Sequence, residues 1–158
     1  MKIETTRFGT IDISEEEVFS FPEGLIGFAE HKNFIIYDYQ PENPFKWLQA
    51  SDNPGLAFIV VEPGEFMAEY KPKIPECELD FLGLKNVKDA RFYATVIVPK
   101  DPKKMYANLL GPVVVNPEKR IGKQIILQSD EYSTCHYILE EFKNSFGAKN
   151  AGSIKTDE

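Results

Sequence analysis

The segment from Asn43 to Pro63 constrains the fold more than any other part of this chain. It contains the only tryptophan, Trp47, and the densest apolar run, Leu56–Val61. Between its two apolar pieces lie residues 51–55 (Ser-Asp-Asn-Pro-Gly), all of which favour chain reversal. The segment is therefore predicted to form two strands joined by a tight loop. Because the second strand is apolar at successive positions, we expect both of its faces to be covered. We expect Trp47 to lie in the core, and the alternative for Trp47 is an interface anchor, since tryptophan is enriched in binding hot spots.

Short segments of strand-forming composition recur at near-regular spacing on both sides of this pair. The spacing predicts a mainly β fold, an antiparallel small β-barrel or sandwich with one or two short helices. Pro75–Leu84 is the predicted helix, and Tyr132–Phe142 fits either a last strand or a terminal helix. The predicted strands are 2–6 and 10–13, which form a hairpin around Gly9, and 18–21, 34–37, 45–50, 56–61, 66–70, 91–98, 108–116 and 123–128.

The length of 158 residues is typical of one domain. We expect residues 1–142 to form a single β domain. From Lys143 the composition turns to small and polar residues, which predicts a mobile tail over residues 143–158.

The net charge of −7 comes from 25 acidic and 18 basic side chains. A nucleic-acid binder needs a surplus of Lys and Arg to neutralise phosphates, so direct binding of nucleic acid is not expected. A basic protein partner is compatible with this charge. The chain shows neither a leader-like start nor an apolar run approaching the ~18 residues of a membrane helix, and its two cysteines are too few for a disulfide framework. We therefore expect a soluble cytoplasmic protein without membrane contact.

Side chains suited to catalysis are few. His31 and His136 are the only imidazoles, and Cys135 next to His136 would point to the opposite face of a strand. Cysteine and histidine also lack a zinc-like spacing. We therefore predict no catalytic residue, no metal and no cofactor. Two alternatives stay open: a hydrolase using paired carboxylates such as Glu62 and Glu65, and a small β-barrel that binds a ligand in its interior.

Four ordered motifs resemble the flagellar assembly factor family FliW. They are residues 21–28 (Phe-Pro-Glu-Gly-Leu-Ile-Gly-Phe), residues 44–49 with 56–58, residues 108–116 and residues 122–127. Their order and spacing, together with the chain length, extend the resemblance over residues 1–142.

The resemblance implies a compact, mostly antiparallel β fold without enzymatic activity, acting in bacterial flagellum biogenesis. It implies two protein partners in the cytoplasm. One is flagellin, bound through its C-terminal region in a chaperone-like way before export. The other is CsrA, a dimeric RNA-binding regulator that represses flagellin translation, and members of the family bind CsrA to relieve that repression.

Two placements of the partner-binding residues follow from the sequence. The acidic segment from Glu62 to Asp80, which includes Glu65 and Glu69, would suit a basic partner such as CsrA. The alternative for this segment is a solvated acidic surface without a partner. The alternative places binding on the motif loops, at Leu25 to Phe28 or at Asn53 to Gly55. Both placements are hypotheses.

Overall fold

The computed structural model describes residues 1–147 of the chain. Within them, eleven short strands and two short helices alternate with single turns of 3₁₀ helix. In chain order these elements are β1 (Lys2–Thr5), β2 (Gly9–Asp12), β3 (Val18–Ser20), β4 (Asn33–Tyr37), β5 (Lys46–Ala50), β6 (Ala57–Val61), α1 (Glu76–Phe81), β7 (Arg91–Ile97), β8 (Tyr106–Ala107), β9 (Val113–Asn116), β10 (Ile121–Gln124), β11 (His136–Tyr137) and α2 (Ile138–Phe142).

Seven strands close into a barrel, in the order β7-β6-β5-β4-β3-β10-β9 with β9 returning to β7. Neighbours are antiparallel except β10 and β3, which meet in parallel at Ile121 and Ser20. The second half of β7 stays paired with β6 on one edge, while its other edge pairs with β8 at Val96 and Ile97 instead of with β9. β8 in turn pairs with β11. The prediction of a mainly antiparallel β fold is confirmed, as a barrel rather than a sandwich.

Inward-facing side chains fill the barrel interior. Phe21, Phe34 and Leu48 are almost completely buried there, with the rings of Phe21 and Phe34 packed edge to face at 5.4 Å. Backbone also approaches these rings closely: a Cβ built on Gly122 would lie 2.6 Å from the ring of Phe21. A filled interior is a scaffold rather than a ligand cavity, which weighs against the ligand-binding alternative.

Three apolar clusters cover much of the outer barrel surface. The β1–β2 hairpin lays Ile3, Ile11 and Ile13 over Ile35 of β4. The chain around α1 covers β9 and β10, and the segment from β8 to α2 covers the outer faces of β6 and β7. Among the described residues, nothing covers the strip of outer surface between the β1–β2 hairpin and the segment from β8 to α2.

Lys123 of β10 links the barrel to α1 through an ion pair and a cation–π contact. Its ammonium group lies 2.7 Å from the Glu78 carboxylate, 3.6 Å from that of Glu23, and 4.9 Å from the ring centre of Phe81. The hydrogen bond to Glu78 is the largest cause that raises the pKa of the Lys123 ammonium group above its ordinary value of 10.5. The charged form of Lys123 is therefore favoured by folding.

Replacing Lys123 with Met should lower the free energy of unfolding by about 1–2 kcal/mol at neutral pH. Because folding raises the pKa of Lys123, its contribution is fully present below the unfolded value and is lost as pH rises through the higher folded value. Urea unfolding of both proteins should show a constant difference up to about pH 10.5 that shrinks at higher pH. A difference that stays constant to the highest pH at which the protein folds would contradict this.

Three predicted strands differ from the structure: within 108–116 only Val113–Asn116 is a strand, the strand predicted at 123–128 spans Ile121–Gln124, and 66–70 is not a strand. Residues 66–70 were expected to form a strand, but a 3₁₀ turn over Pro63–Glu65 leads into further turns instead. The apolar positions there are anchors: Phe66 is buried against β7, and the Tyr70 hydroxyl donates to the carbonyl of Leu109 at 2.8 Å. The ambiguous segment Tyr132–Phe142 contains both candidates, β11 followed by α2.

The predicted tail is described only at its start. Residues Lys143–Gly147 continue α2 as a π-helical turn, and the ring of Phe146 packs at 5.1 Å from that of Phe142. The remainder, residues 148–158, lies outside the described residues, so the tail stays a prediction.

Gly24 occupies a backbone position that an L side chain fits poorly. Its φ is +65°, and an added Cβ would lie 2.6 Å from the carbonyl oxygen of Phe28 and 2.7 Å from Cα of Ala29. Gly24→Ala should therefore cost at least about 2 kcal/mol of stability, from left-handed strain plus the backbone clash. Gly27 also has a positive φ but open space around it, so Gly27→Ala should cost only about 1–2 kcal/mol. Equal losses in urea unfolding would refute the clash.

Candidate protein-binding surfaces

Trp47 lies on the outside of the barrel. Along β5, Leu48 and Ala50 face the interior, so the alternation of a strand turns Trp47 outward, opposite Ile59 of β6. Its side chain is half-buried, and Ile59 is half-buried as well. The prediction that Trp47 lies in the core is therefore wrong. The prediction that both faces of β6 are covered holds for Val60 and Val61 but fails at Ile59, because none of the elements within residues 1–147 covers that strip of the barrel.

Two adjoining recesses surround Trp47, with volumes of about 240 Å³ and 470 Å³. Trp47, Ile59 and Val98 line both recesses, so the two form one continuous depression that we call the Trp47 groove. Its remaining lining residues are Tyr39, Gln40, Asn43, Phe45 and Met105 on one side, and Arg7, Leu25, Ile26, Ala57, Phe58, Thr95, Val96, Ile97 and Gln124 on the other.

Large apolar side chains of the Trp47 groove are open to solvent. Ile97 is 54% exposed, Val98 47%, and Ile26 and Tyr39 58% each. Scattered exposed apolar residues are ordinary, but these four meet around one depression. A contiguous apolar surface of this kind is typical of a protein-binding site.

The turn of the β1–β2 hairpin supplies the edge of the groove. The Arg7 guanidinium lies 4.7 Å from the centre of the Trp47 ring, and the ring of Phe8 lies 5.7 Å from it. Arg7 is the only charged residue among those that line the groove. The nearby carboxylate of Asp38 is paired with Lys46 at 3.2 Å. The groove is therefore an apolar surface with one cation, on a chain whose net charge is −7.

Glu62 and Glu65 meet at a second depression, of about 320 Å³, that we call the acidic recess. Its other lining residues are Pro63, Gly64, Met67, Ala68, Tyr70, Ala90, Arg91 and Phe92. Glu69 is exposed nearby in sequence but does not line the recess. The recess thus combines carboxylates with an apolar floor, and Arg91 is its one cation.

The loop residues predicted for partner binding have different surroundings. Leu25 is only 3% exposed and forms part of the groove wall. Phe28 packs edge to face on Phe58 at 5.2 Å. The side-chain oxygen of Asn53 accepts a hydrogen bond from the Gly55 amide at 3.1 Å, which shapes the β5–β6 turn. Of this set, the structure brings Leu25 to the Trp47 groove.

The sequence-based site predictions missed Arg7, Ile97 and Val98, whereas Ile26 lies within the predicted loop from Leu25 to Phe28. The pair Ile97-Val98 carried a signal that went unused. Two consecutive apolar residues at the end of a strand point to opposite faces. One of the two side chains therefore faces away from the barrel interior, where only another element or a partner could bury it. Arg7 had no such signal, because its position over Trp47 depends on how the hairpin packs against the barrel.

The imidazole of His136 is bound on both sides. Its Nδ1 lies 2.6 Å from the Glu141 carboxylate, and its Nε2 accepts from the Ser133 amide at 2.9 Å. The contact with Glu141 joins β11 to α2, and the bond from Ser133 ties β11 to the loop before it. Cys77 and Cys135 are both exposed free thiols. Within residues 1–147, no group of three or more His, Cys, Asp or Glu is placed to hold a metal ion, and no helix is long and apolar enough to cross a membrane.

Comparison with known proteins explains which kind of protein carries these surfaces. The sequence profile described as FliW protein matches residues 2–138. The chain belongs to the FliW family. The match spans the whole barrel together with the hairpin, β8 and β11, so both the Trp47 groove and the acidic recess lie on the part of the chain that defines FliW proteins.

Individual relatives agree with the family match. The flagellar assembly factor FliW of Leptospira interrogans is 43% identical over 141 residues, which cover 89% of this chain and 94% of that protein. The flagellar assembly factor FliW of Caldanaerobacter subterraneus is 42% identical over 147 residues, covering 92% and 98%. A crystal structure of the flagellar assembly factor FliW superposes with a TM-score of 0.82 at 33% identity, covering 87% of this chain and 96% of that one.

Proposed function

We propose that this FliW protein is a non-enzymatic flagellar assembly factor of the bacterial cytoplasm with two protein partners. It binds the C-terminal region of flagellin in a chaperone-like way, and it binds CsrA to relieve the repression of flagellin translation. It does not bind nucleic acid directly. Family membership supports the role in flagellar assembly. The two partners are those that the sequence resemblance implies.

The Trp47 groove is the observation that carries the proposal, and we assign flagellin to it. A chaperone-like factor has to cover apolar surface that its client exposes before assembly. The groove offers a tryptophan with four exposed apolar neighbours, a combination typical of binding hot spots.

The acidic recess is the proposed site for CsrA. An RNA-binding protein needs a basic surface to neutralise phosphates, and that surface is attracted to carboxylates. Glu62 and Glu65 line the recess, and Glu69 is exposed in the same segment. An acidic partner seated on a basic surface would also repel the phosphates of a competing RNA.

Calorimetric titration of the full chain against each partner tests the proposal. We expect saturable heat with the C-terminal segment of flagellin and with CsrA, and no retention of labelled RNA by this protein alone at physiological salt. The absence of heat with both partners, at concentrations well above micromolar, would refute the proposed function.

Charge reversal of Glu65 and Glu69 to Lys should weaken CsrA binding by roughly 10-fold or more at low salt, and less at high salt because exposed charges are screened. Flagellin binding should not change. The matched control reverses Glu15 and Glu16, exposed carboxylates of the 3₁₀ turn before β3, and makes the same change in net charge. If the two double variants bind CsrA alike at every salt concentration, the acidic recess is not the CsrA site.

A further inference from the structure

We propose that the occupant of the Trp47 groove is an amphipathic α-helix with a carboxylate at the edge of its apolar face, where it pairs with Arg7. The inference rests on the proposed function, since it assigns this helix to the C-terminal region of flagellin. It adds the conformation and the charge of the bound segment.

The backbone pairing of the strands under the groove determines which conformation a bound segment can adopt. β5 is hydrogen-bonded to β4 and β6, and β6 to β5 and β7. At Val96 and Ile97, β7 is paired with β8. At the centre of the groove, Trp47, Ile59 and Val96 therefore lie on strand segments that are paired on both sides, so an extended segment cannot add to a strand edge there. An extended peptide on this apolar surface would leave its own backbone groups unpaired, whereas a helix pairs them internally.

The shape of the groove agrees with a helix. Trp47 and Ile59 line both recesses and so lie between them. A helix that lies across Trp47 and Ile59 presents apolar side chains on one face at intervals of three or four residues. Successive apolar side chains of that helix can therefore enter the two recesses. Ile97 and Val98, both exposed, lie where such a helix gains apolar contact.

The charge of the groove lining determines which charge the bound helix should carry. Within residues 1–147, Arg7 has no ion-pair partner, and its side chain makes no hydrogen bond to another described residue. A guanidinium group carries five N–H donors, and its fork matches a carboxylate. The groove lining contains no carboxylate of its own. A helix with Asp or Glu at the edge of its apolar face complements this surface, and a helix edged with Lys or Arg does not.

A double-mutant cycle tests the pairing with Arg7. The probe is a synthetic peptide of flagellin's C-terminal segment, in which each Asp and Glu is changed in turn to Asn or Gln. Against the full chain, Arg7→Gln should weaken binding roughly 10-fold, as should one of the peptide changes, and the two together should cost little more than either alone. Arg120→Gln is the matched control, because Arg120 stacks on Phe19 at 4.7 Å in a different part of the barrel. It should leave the affinity unchanged.

A second arm tests the helix. Proline placed in the middle of the peptide, on its polar face, should weaken binding by roughly 100-fold. Circular dichroism should show helix gained on binding. Flagellin binding with unchanged affinity after Arg7→Gln and after the proline change would overturn the inference while leaving the proposed function in place. The absence of any binding to the unmodified protein would instead refute the proposed function. A dimer of the free protein that Trp47→Ala dissociates would assign the groove to a second copy and overturn the inference.

Discussion

Trp47→Ala should weaken binding of flagellin's C-terminal segment by about 30- to 1,000-fold, equivalent to roughly 2–4 kcal/mol. The indole lies at the junction of the two recesses, so truncating it removes contact area from both. The fold should survive, because the side chain is half-buried on the outside of the barrel and belongs to none of the buried clusters. Calorimetry measures the affinity, and urea unfolding measures the stability.

Two comparisons make the Trp47→Ala result specific. Trp47→Phe keeps an aromatic ring and should lose much less affinity than Trp47→Ala. Val87→Ala truncates another exposed apolar residue, outside the groove lining, and should have no effect. CsrA binding should also stay unchanged. A folded Trp47→Ala variant with unaltered flagellin affinity would contradict the assignment of flagellin to the groove.

Phe21→Ala should lower the free energy of unfolding by about 3–5 kcal/mol, the largest stability effect that we expect of a single truncation here. Phe21 is fully buried and packs edge to face on Phe34. Close packing around Gly122 limits how far the barrel can relax into the cavity. Urea or thermal unfolding measures the loss, and both partner affinities should persist at temperatures where the variant is folded.

The control for Phe21→Ala is Phe28→Ala, a change of the same residue type in the same loop. Phe28 is half-buried at the end of the barrel and packs against Phe58. Its truncation should cost clearly less than that of Phe21. Equal losses would mean that the interior is not the more tightly packed region, which would contradict the description of the barrel as a filled scaffold.

Elements with local signals could be predicted from the sequence. The opening hairpin is one: alternating isoleucines flank Gly9, whose φ of +68° is one that glycine adopts without strain. The helix predicted within Pro75–Leu84 is another, with Gly83 at φ +71° just after α1 ends. The pair β5 and β6 followed from its apolar runs and the turn between them.

Other features depend on contacts between distant parts of the chain. Closure of the barrel requires β9 to pair with β7 and β10 to meet β3, which no local pattern shows. The segment 66–70 has the apolar spacing of a strand, but in the structure its apolar residues hold a loop against the barrel. Trp47 looked like a core residue because an apolar strand usually has both faces covered, and only the folded arrangement leaves the outer strip between the hairpin and the C-terminal elements open.

Part of the candidate site could be predicted from the sequence. The acidic segment could be predicted from composition, and the structure brings Glu62 and Glu65 to one recess. The Trp47 groove could not be predicted from the sequence, because its lining side chains come from the hairpin turn, β5, β6 and the end of β7. Arg7 and Val98 become neighbours of Trp47 through tertiary packing alone.

The fluorescence emission of Trp47 reports whether a partner covers the Trp47 groove. Trp47 is the only tryptophan of the chain, and the claim is that the open strip around it, rather than the filled barrel, binds the partner. Titration with a tryptophan-free C-terminal segment of flagellin should shift the emission to shorter wavelength as the indole is covered. The shift should saturate at the concentration at which the calorimetric heat saturates. Saturable heat without any change in Trp47 emission would contradict the claim.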